Sequence, residues 1–179
     1  VNMKKQKGFT LMELLVVMVL LGILVSLGLS SYRSSQTKSR DSRRKSELRQ
    51  ISLAFEAYFN DHAKYPDDDD VGGIKACGAA GGTVCTWGSE FKDENGTLYM
   101  ITLPADISGL SYYYDVSGIN NTSYQLYARL ENTLDSDVPK DANNQPQVYS
   151  GLSCGAKSCN YGIASTNTTA GSGRTLTTE

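Results

Sequence analysis

One carboxylate, Glu13, lies inside an apolar run from Phe9 to Leu29 that is 21 residues long and otherwise uncharged. An ionised side chain deep in hydrocarbon costs about 2.5–3.5 kcal/mol on insertion scales. Such a group either has a partner or a task, or sits close enough to the edge of the span to snorkel to the headgroups. The chemistry a carboxylate offers there is neutralisation of a nearby cation. Four cysteines form two close pairs, Cys77 with Cys85 and Cys154 with Cys159. Three connectivities are open to four cysteines. Local pairing is favoured, because short loops close cheaply and glycine and alanine lie between the members of each pair. Neither spacing is the Cys-x-x-Cys of a zinc site, so disulfides are expected, pinning irregular loops such as the Gly/Ala-rich stretch 72–82.

The remaining polar clusters carry less. Asp67 to Asp70 form a charge run of the kind that is usually solvated. Asp135-x-Asp137, followed by Asp141 and Asn143, puts oxygen ligands on a loop, as calcium requires. It lacks the glycine and distal glutamate of an EF-hand, and a polar loop is the plainer reading. His62, the single histidine, adjoins Asp61 without a nucleophile–base–acid set, a phosphate loop or a His-rich metal signature around it. It reads as a solvated side chain, and an enzyme is not expected.

These residues need elements to place them. At about 1.5 Å rise per residue, a helix over Phe9–Leu29 covers the hydrocarbon thickness of a bilayer, and its apolar residues surround it on all sides. Lys4, Lys5 and Lys7 precede it, which keeps the N-terminus cytoplasmic and exports the rest. A cleaved secretory signal would have an apolar core of about 7–15 residues and a small-residue cleavage site; this run is longer and no Ala-x-Ala follows it.

From Ser30 to about Asn60 there is no proline, and Leu48, Ile51, Phe55 and Tyr58 recur at three- and four-residue steps, with Ala54 and Phe59 beside them. Asp41 and Lys45 stand as an acid-before-base pair at i,i+4. Tyr65-Pro66 is the expected stop, and Gly22 and Gly28 are the places where one helix over 9–60 would bend or unwind. The interval Arg33–Arg49 holds seven basic and two acidic residues, read first as a solvated helix face and second as a contact with the acidic head of a neighbouring subunit.

After Asp67 the helical period disappears. Thr97–Leu103, Leu110–Val116 and Ser123–Leu130 read as strands, the last with Tyr124, Leu126, Ala128 and Leu130 alternating with Gln125, Tyr127 and Arg129. The second and third form an antiparallel hairpin through Ser117–Asn121. The fold class is α+β: a long N-terminal helix, half membrane span and half amphipathic, packed on a small antiparallel β-sheet head with disulfide-pinned loops. The Ser/Thr/Gly-rich segment 165–179 is expected to be a flexible tail. Asn95, Asn120, Asn121 and Asn167 open Asn-x-Ser/Thr sequons, a weak signal by themselves. Residues 1–50 carry a net +7 and residues 51–179 a net −9. That acidic outer part argues against direct nucleic-acid binding by the head.

Gly8-Phe9-Thr10-Leu11-Met12-Glu13, following the lysines and opening the apolar run, resembles the class III signal of type IV pilins and of type II secretion pseudopilins. The likeness is close over about 4–31 and looser as far as Pro66. The resemblance implies a leader, 1–8, removed by prepilin peptidase between Gly8 and Phe9, with N-methylation of Phe9. A filament-core helix 9–30, an amphipathic half 31–65 and a globular β-rich head 66–164 would follow. Glu13 would neutralise the new amine in its own chain or in a neighbouring subunit and so set the register of assembly.

The implied protein is a structural subunit, held in the cytoplasmic membrane as a single-pass protein with an exported head. It would then polymerise with copies of itself and with minor pilins through an inner-membrane platform and ATPase, into an extracellular type IV pilus-like filament. Membrane lipid is its partner before assembly. A secretion pseudopilin is the alternative, and a monomeric anchored binding module a further one. Cofactors are not expected. Some major pseudopilins hold calcium in a C-terminal loop, and that resemblance nominates Asp135, Asp137 and Asp141 as calcium ligands.

Overall fold

A computed structural model describes residues 8–78, 81–106 and 108–179. The lysines of the expected leader lie outside the described residues. One helix, α1, runs from Leu11 to His62 and continues through Gly22 and Gly28. The chain divides into two compact units, one ending at Ser39 and one from Arg40 to Glu179, and α1 contributes to both. In the first unit α1 is long and apolar enough to cross a membrane, and none of that apolar stretch is buried within the protein. Ser26, a polar residue in the run, returns its hydroxyl to the Ile23 carbonyl at 2.8 Å, so its donor is satisfied within the helix.

In the second unit the stripe read from periodicity is the core face. Leu48, Ile51, Ala54, Phe55 and Tyr58 are buried, while Leu53 between them is exposed. Phe55 lies at the centre, its ring 4.7 Å from Tyr114, 5.1 Å from Tyr124 and 6.1 Å from Phe91. Burying a side chain of that size contributes about 1.5–3 kcal/mol. The helix ends before Tyr65-Pro66, where Ala63 turns to φ 55° and donates its N–H to the Phe59 carbonyl at 2.8 Å.

Among the described residues the strands that follow are short. They are β1 (Asp67–Asp68), β2 (Ile74–Cys77), β3 (Thr83–Cys85), β4 (Phe91–Lys92), β5 (Leu98–Met100) and β6 (Tyr113–Ser117). After them come β7 (Ser123–Ala128), β8 (Gln147–Tyr149), β9 (Ser153–Cys154), β10 (Lys157–Ser158), β11 (Tyr161–Ala164) and β12 (Leu176–Thr178). The central sheet is antiparallel in the order β11-β7-β6, with Tyr114 opposite Leu126 and Leu126 opposite Ile163. The β6–β7 hairpin turns through Asn120 and Asn121, both at positive φ, a conformation that asparagine tolerates better than most residues. Of the three strands read from sequence, the last two form this hairpin. The first shrinks to β5, and Leu110–Tyr112 approaches β6 without pairing.

Strand β7 departs from the expectation of a simple alternation. Tyr124, Leu126 and Ala128 face α1, yet Ser123, Gln125 and Tyr127 are buried as well. A second small core of Tyr127, Tyr149, Leu152, Cys154 and Cys159 covers that face. The segment that builds the cover includes 165–179, so the flexible tail is corrected to a docked one. Gln125 donates to the carbonyls of Thr169 and Ser172 at 2.7 and 2.9 Å, Tyr127 donates to the Ala170 carbonyl at 2.7 Å, and β12 pairs with β8. Its backbone carbonyls do what its few apolar side chains cannot. The run Asp67–Asp70 is likewise drawn into the fold. Asp68 accepts from the Val116 N–H at 2.8 Å and Asp69 from the Gly73 N–H at 2.6 Å.

Candidate assembly site and head anchorage

Gly8, Phe9 and Thr10 precede α1, and Phe9 is 90% exposed. A Cβ at Gly8 would meet nothing within 4 Å, and Gly8 has no positive φ. The fold of this chain therefore does not require glycine there; any demand for it comes from whatever reads the segment.

Thr10 caps the helix. Its hydroxyl accepts the Glu13 N–H at 3.2 Å, and the Glu13 carboxylate reaches back to accept hydrogen bonds from the Thr10 N–H and the Thr10 hydroxyl, both at 2.8 Å. This is a capping box, which joins the carboxylate to the positive end of the helix dipole. Glu13 is therefore turned toward Phe9 and away from the middle of the apolar run. The sequence reading of Glu13 leaves out Thr10, although Thr-x-x-Glu ahead of an apolar run is itself a readable signal of this cap.

A second polar constellation fixes α1 within the head. Asp41, 1% exposed, accepts the backbone N–H groups of Glu131 and Asn132 at 2.9 and 2.8 Å and pairs with Arg44 at 2.7 Å. Arg44 also bonds Asp106, Ser108 at 2.6 Å and Glu131 at 2.8 Å. Burial alone would push the Asp106 carboxyl up, but Arg44 and Ser108 outweigh it and hold it below the usual range. Arg40 holds Glu131 down to about 2, with burial opposing and Arg44 adding to the pull. The expected Asp41–Lys45 pair is thus replaced. Asp41 takes Arg44 at i+3, and Lys45 bonds Asp135 at 2.6 Å and Asp137 at 2.7 Å. Asp141, the third residue nominated for calcium, accepts from its own loop at Asn143 and Gln145, both at 2.8 Å.

Disulfides join Cys77 to Cys85 and Cys154 to Cys159. His62, expected in solvent, stacks on Tyr58 at 4.0 Å, with Nδ1 3.1 Å from the Tyr58 carbonyl and Nε2 3.5 Å from Asp93. The tyrosines pack on the helix: Tyr112, Tyr114 and Tyr124 are all buried, and Tyr112 donates to the Glu47 carboxylate.

A family model for the prokaryotic N-terminal methylation motif matches residues 3–29. Type II secretion system core protein G of Pseudomonas aeruginosa is 30% identical over 125 residues, which is 70% of this chain and 83% of that protein. The type IV major pilin protein PilA of Myxococcus xanthus is 30% identical over 63 residues, 35% of this chain and 29% of that pilin. A probable minor fimbrial protein of Dichelobacter nodosus is 39% identical over 59 residues, covering 33% of this chain and 37% of that protein. The chain thus spans most of the secretion protein and well under half of the two fimbrial ones. No solved structure gives a significant match.

Proposed function

The chain belongs to the family of type IV pilins and type II secretion pseudopilins, and on that premise we propose that it is a structural subunit polymerising through α1 into a type IV pilus-like surface filament. The observation that carries this reading is the exposed apolar stretch of α1, whose single charge is a carboxylate held at its first turn. Such a surface has two stable environments, a bilayer and a bundle of like helices, and the second supplies cohesion without covalent bonds. Prepilin peptidase cuts between Gly8 and Phe9 and methylates Phe9. The new amine then lies within a few residues of Glu13, which neutralises it in its own chain or in a neighbour. Before assembly the protein is a single-pass membrane protein with an exported head; the inner-membrane platform and its ATPase deliver it into the filament, beside minor pilins.

A second reading, a pseudopilin of a type II secretion system, is favoured by the match that runs across 83% of core protein G. Both readings need Glu13. Replacement Glu13→Val is expected to leave a membrane-inserted, processed monomer and to cut the yield of sheared filaments, measured by immunoblot against total protein. Undiminished filaments from that variant would remove Glu13 from the account.

A further inference from the structure

Calcium, nominated through the family likeness for Asp135, Asp137 and Asp141, meets a different arrangement in this chain. The Lys45 ammonium on α1 already lies between the first two carboxylates, 2.6 Å from Asp135 and 2.7 Å from Asp137, and 5.5 Å above the Tyr161 ring. The lysine is only 16% exposed, and Asp135 is 21% exposed. Asp135 spends the same oxygen on the Asp137 N–H at 3.0 Å, and Asp141 spends its own on two N–H groups of its loop. Among the described residues no three carboxylates, histidines or cysteines converge as a metal group would need. Lys140 adds a second positive charge on the Asp135 carboxylate at longer range. A dication brought here would have to displace one ammonium against the field of another. It would also have to gather six to eight oxygens where two carboxylates stand.

We propose that the cation tying the 131–139 segment to α1 is the Lys45 ammonium itself, and that this head is held without a divalent ion. The two solutions are physically equivalent in one respect: each neutralises carboxylates on a loop and fastens that loop to its neighbour. They differ in dependence on the medium. A divalent tie is lost to a chelator, whereas a covalently carried ammonium is not. The lysine also holds its ammonium 5.5 Å from the centre of the Tyr161 ring, a cation–π contact carried on the same side chain.

The test is thermal melting of the detergent-solubilised full chain, followed by the near-ultraviolet signal of its buried tyrosines. In millimolar calcium chloride and in millimolar EGTA the wild type is expected to melt at the same temperature, and Lys45→Arg to keep that behaviour. Lys45→Gln is expected to melt lower by roughly 5 °C, since the partly buried Asp135 and the more exposed Asp137 lose their common partner. A wild-type midpoint that falls in EGTA or rises with calcium would overturn the proposal. So would an unshifted midpoint for Lys45→Gln, because the ammonium would then carry no part of the joint.

Discussion

Replacing Asp41 by alanine is the perturbation whose effect the structure specifies most fully. The carboxylate is 1% exposed and serves three donors: the N–H groups of Glu131 and Asn132, and one arm of Arg44. Alanine removes the acceptor, leaves both N–H groups unpaired, and reduces Arg44 to its remaining partners Asp106, Ser108 and Glu131. Breaking a buried charge pair costs about 3–5 kcal/mol, and each stranded N–H about 1–3 kcal/mol. These losses overlap, because the same relaxation or entering water relieves them together, so about 4 kcal/mol is the working figure. For a chain of this size, about 2–4 °C of melting temperature goes with each kcal/mol, giving a fall of roughly 8–16 °C. Asp41→Asn keeps the volume and one acceptor oxygen but turns an NH2 group toward a donor, so its loss should be about half as large. Leu53→Ala, on the exposed side of the same helix, should change stability by no more than about 0.5 kcal/mol. The assay is circular dichroism melting of the three variants in detergent. An Asp41→Ala protein melting within about 2 °C of wild type would show that the buried carboxylate does not anchor the 131–132 backbone to α1.

Acid should loosen the same region in a defined window. Glu131 is held at about 2 in the fold, against an ordinary value of 4.5. Its folded value is the depressed one, so its contribution is complete above the ordinary value and disappears as pH falls from about 4.5 toward 2. Melting temperatures measured across that range should therefore fall less steeply in Glu131→Gln than in wild type. At Gly162 an added Cβ would come within 2.6 Å of the Tyr127 ring and 2.9 Å of Ala170, so Gly162→Ala should cost about 1–3 kcal/mol in denaturant unfolding. Gly8→Val changes nothing in the fold, where the position is open, yet should leave the leader uncut on an immunoblot of membranes. Normal processing of that variant would refute the assigned junction.

The parts of this molecule that were legible from sequence are those governed by local period. Leu48, Ile51, Phe55 and Tyr58 declare a helix face because burial imposes the spacing of 3.6 residues, and that face is the core. Tyr124, Leu126 and Ala128 declare a strand in the same way. What stayed hidden depends on partners far along the chain. Gln125 and Tyr127 have the polar tips of a wet strand face, and only the carbonyls of Thr169, Ala170 and Ser172, more than forty residues away, make them buried residues. A tail poor in apolar side chains gives no pattern that announces this docking. The helix charges misled for a related reason. Asp41 and Lys45 stand at the right interval to pair, but desolvated donors on the 131–132 backbone and two loop carboxylates outbid an exposed i,i+4 contact of a few tenths of a kcal/mol. At the N-terminus the sequence reading of Glu13 rests on the membrane and on the amine that the family likeness implies, and leaves out the unpaired N–H groups of the helix that Thr10 and Glu13 cap.

The most direct test of the central claim is mass spectrometry of the N-terminal peptide of this chain, recovered both from filaments sheared off the cell surface and from the membrane fraction. The account predicts a peptide beginning at methylated Phe9 in abundant sheared filaments. A chain found only in membranes with its lysine leader still attached would contradict it.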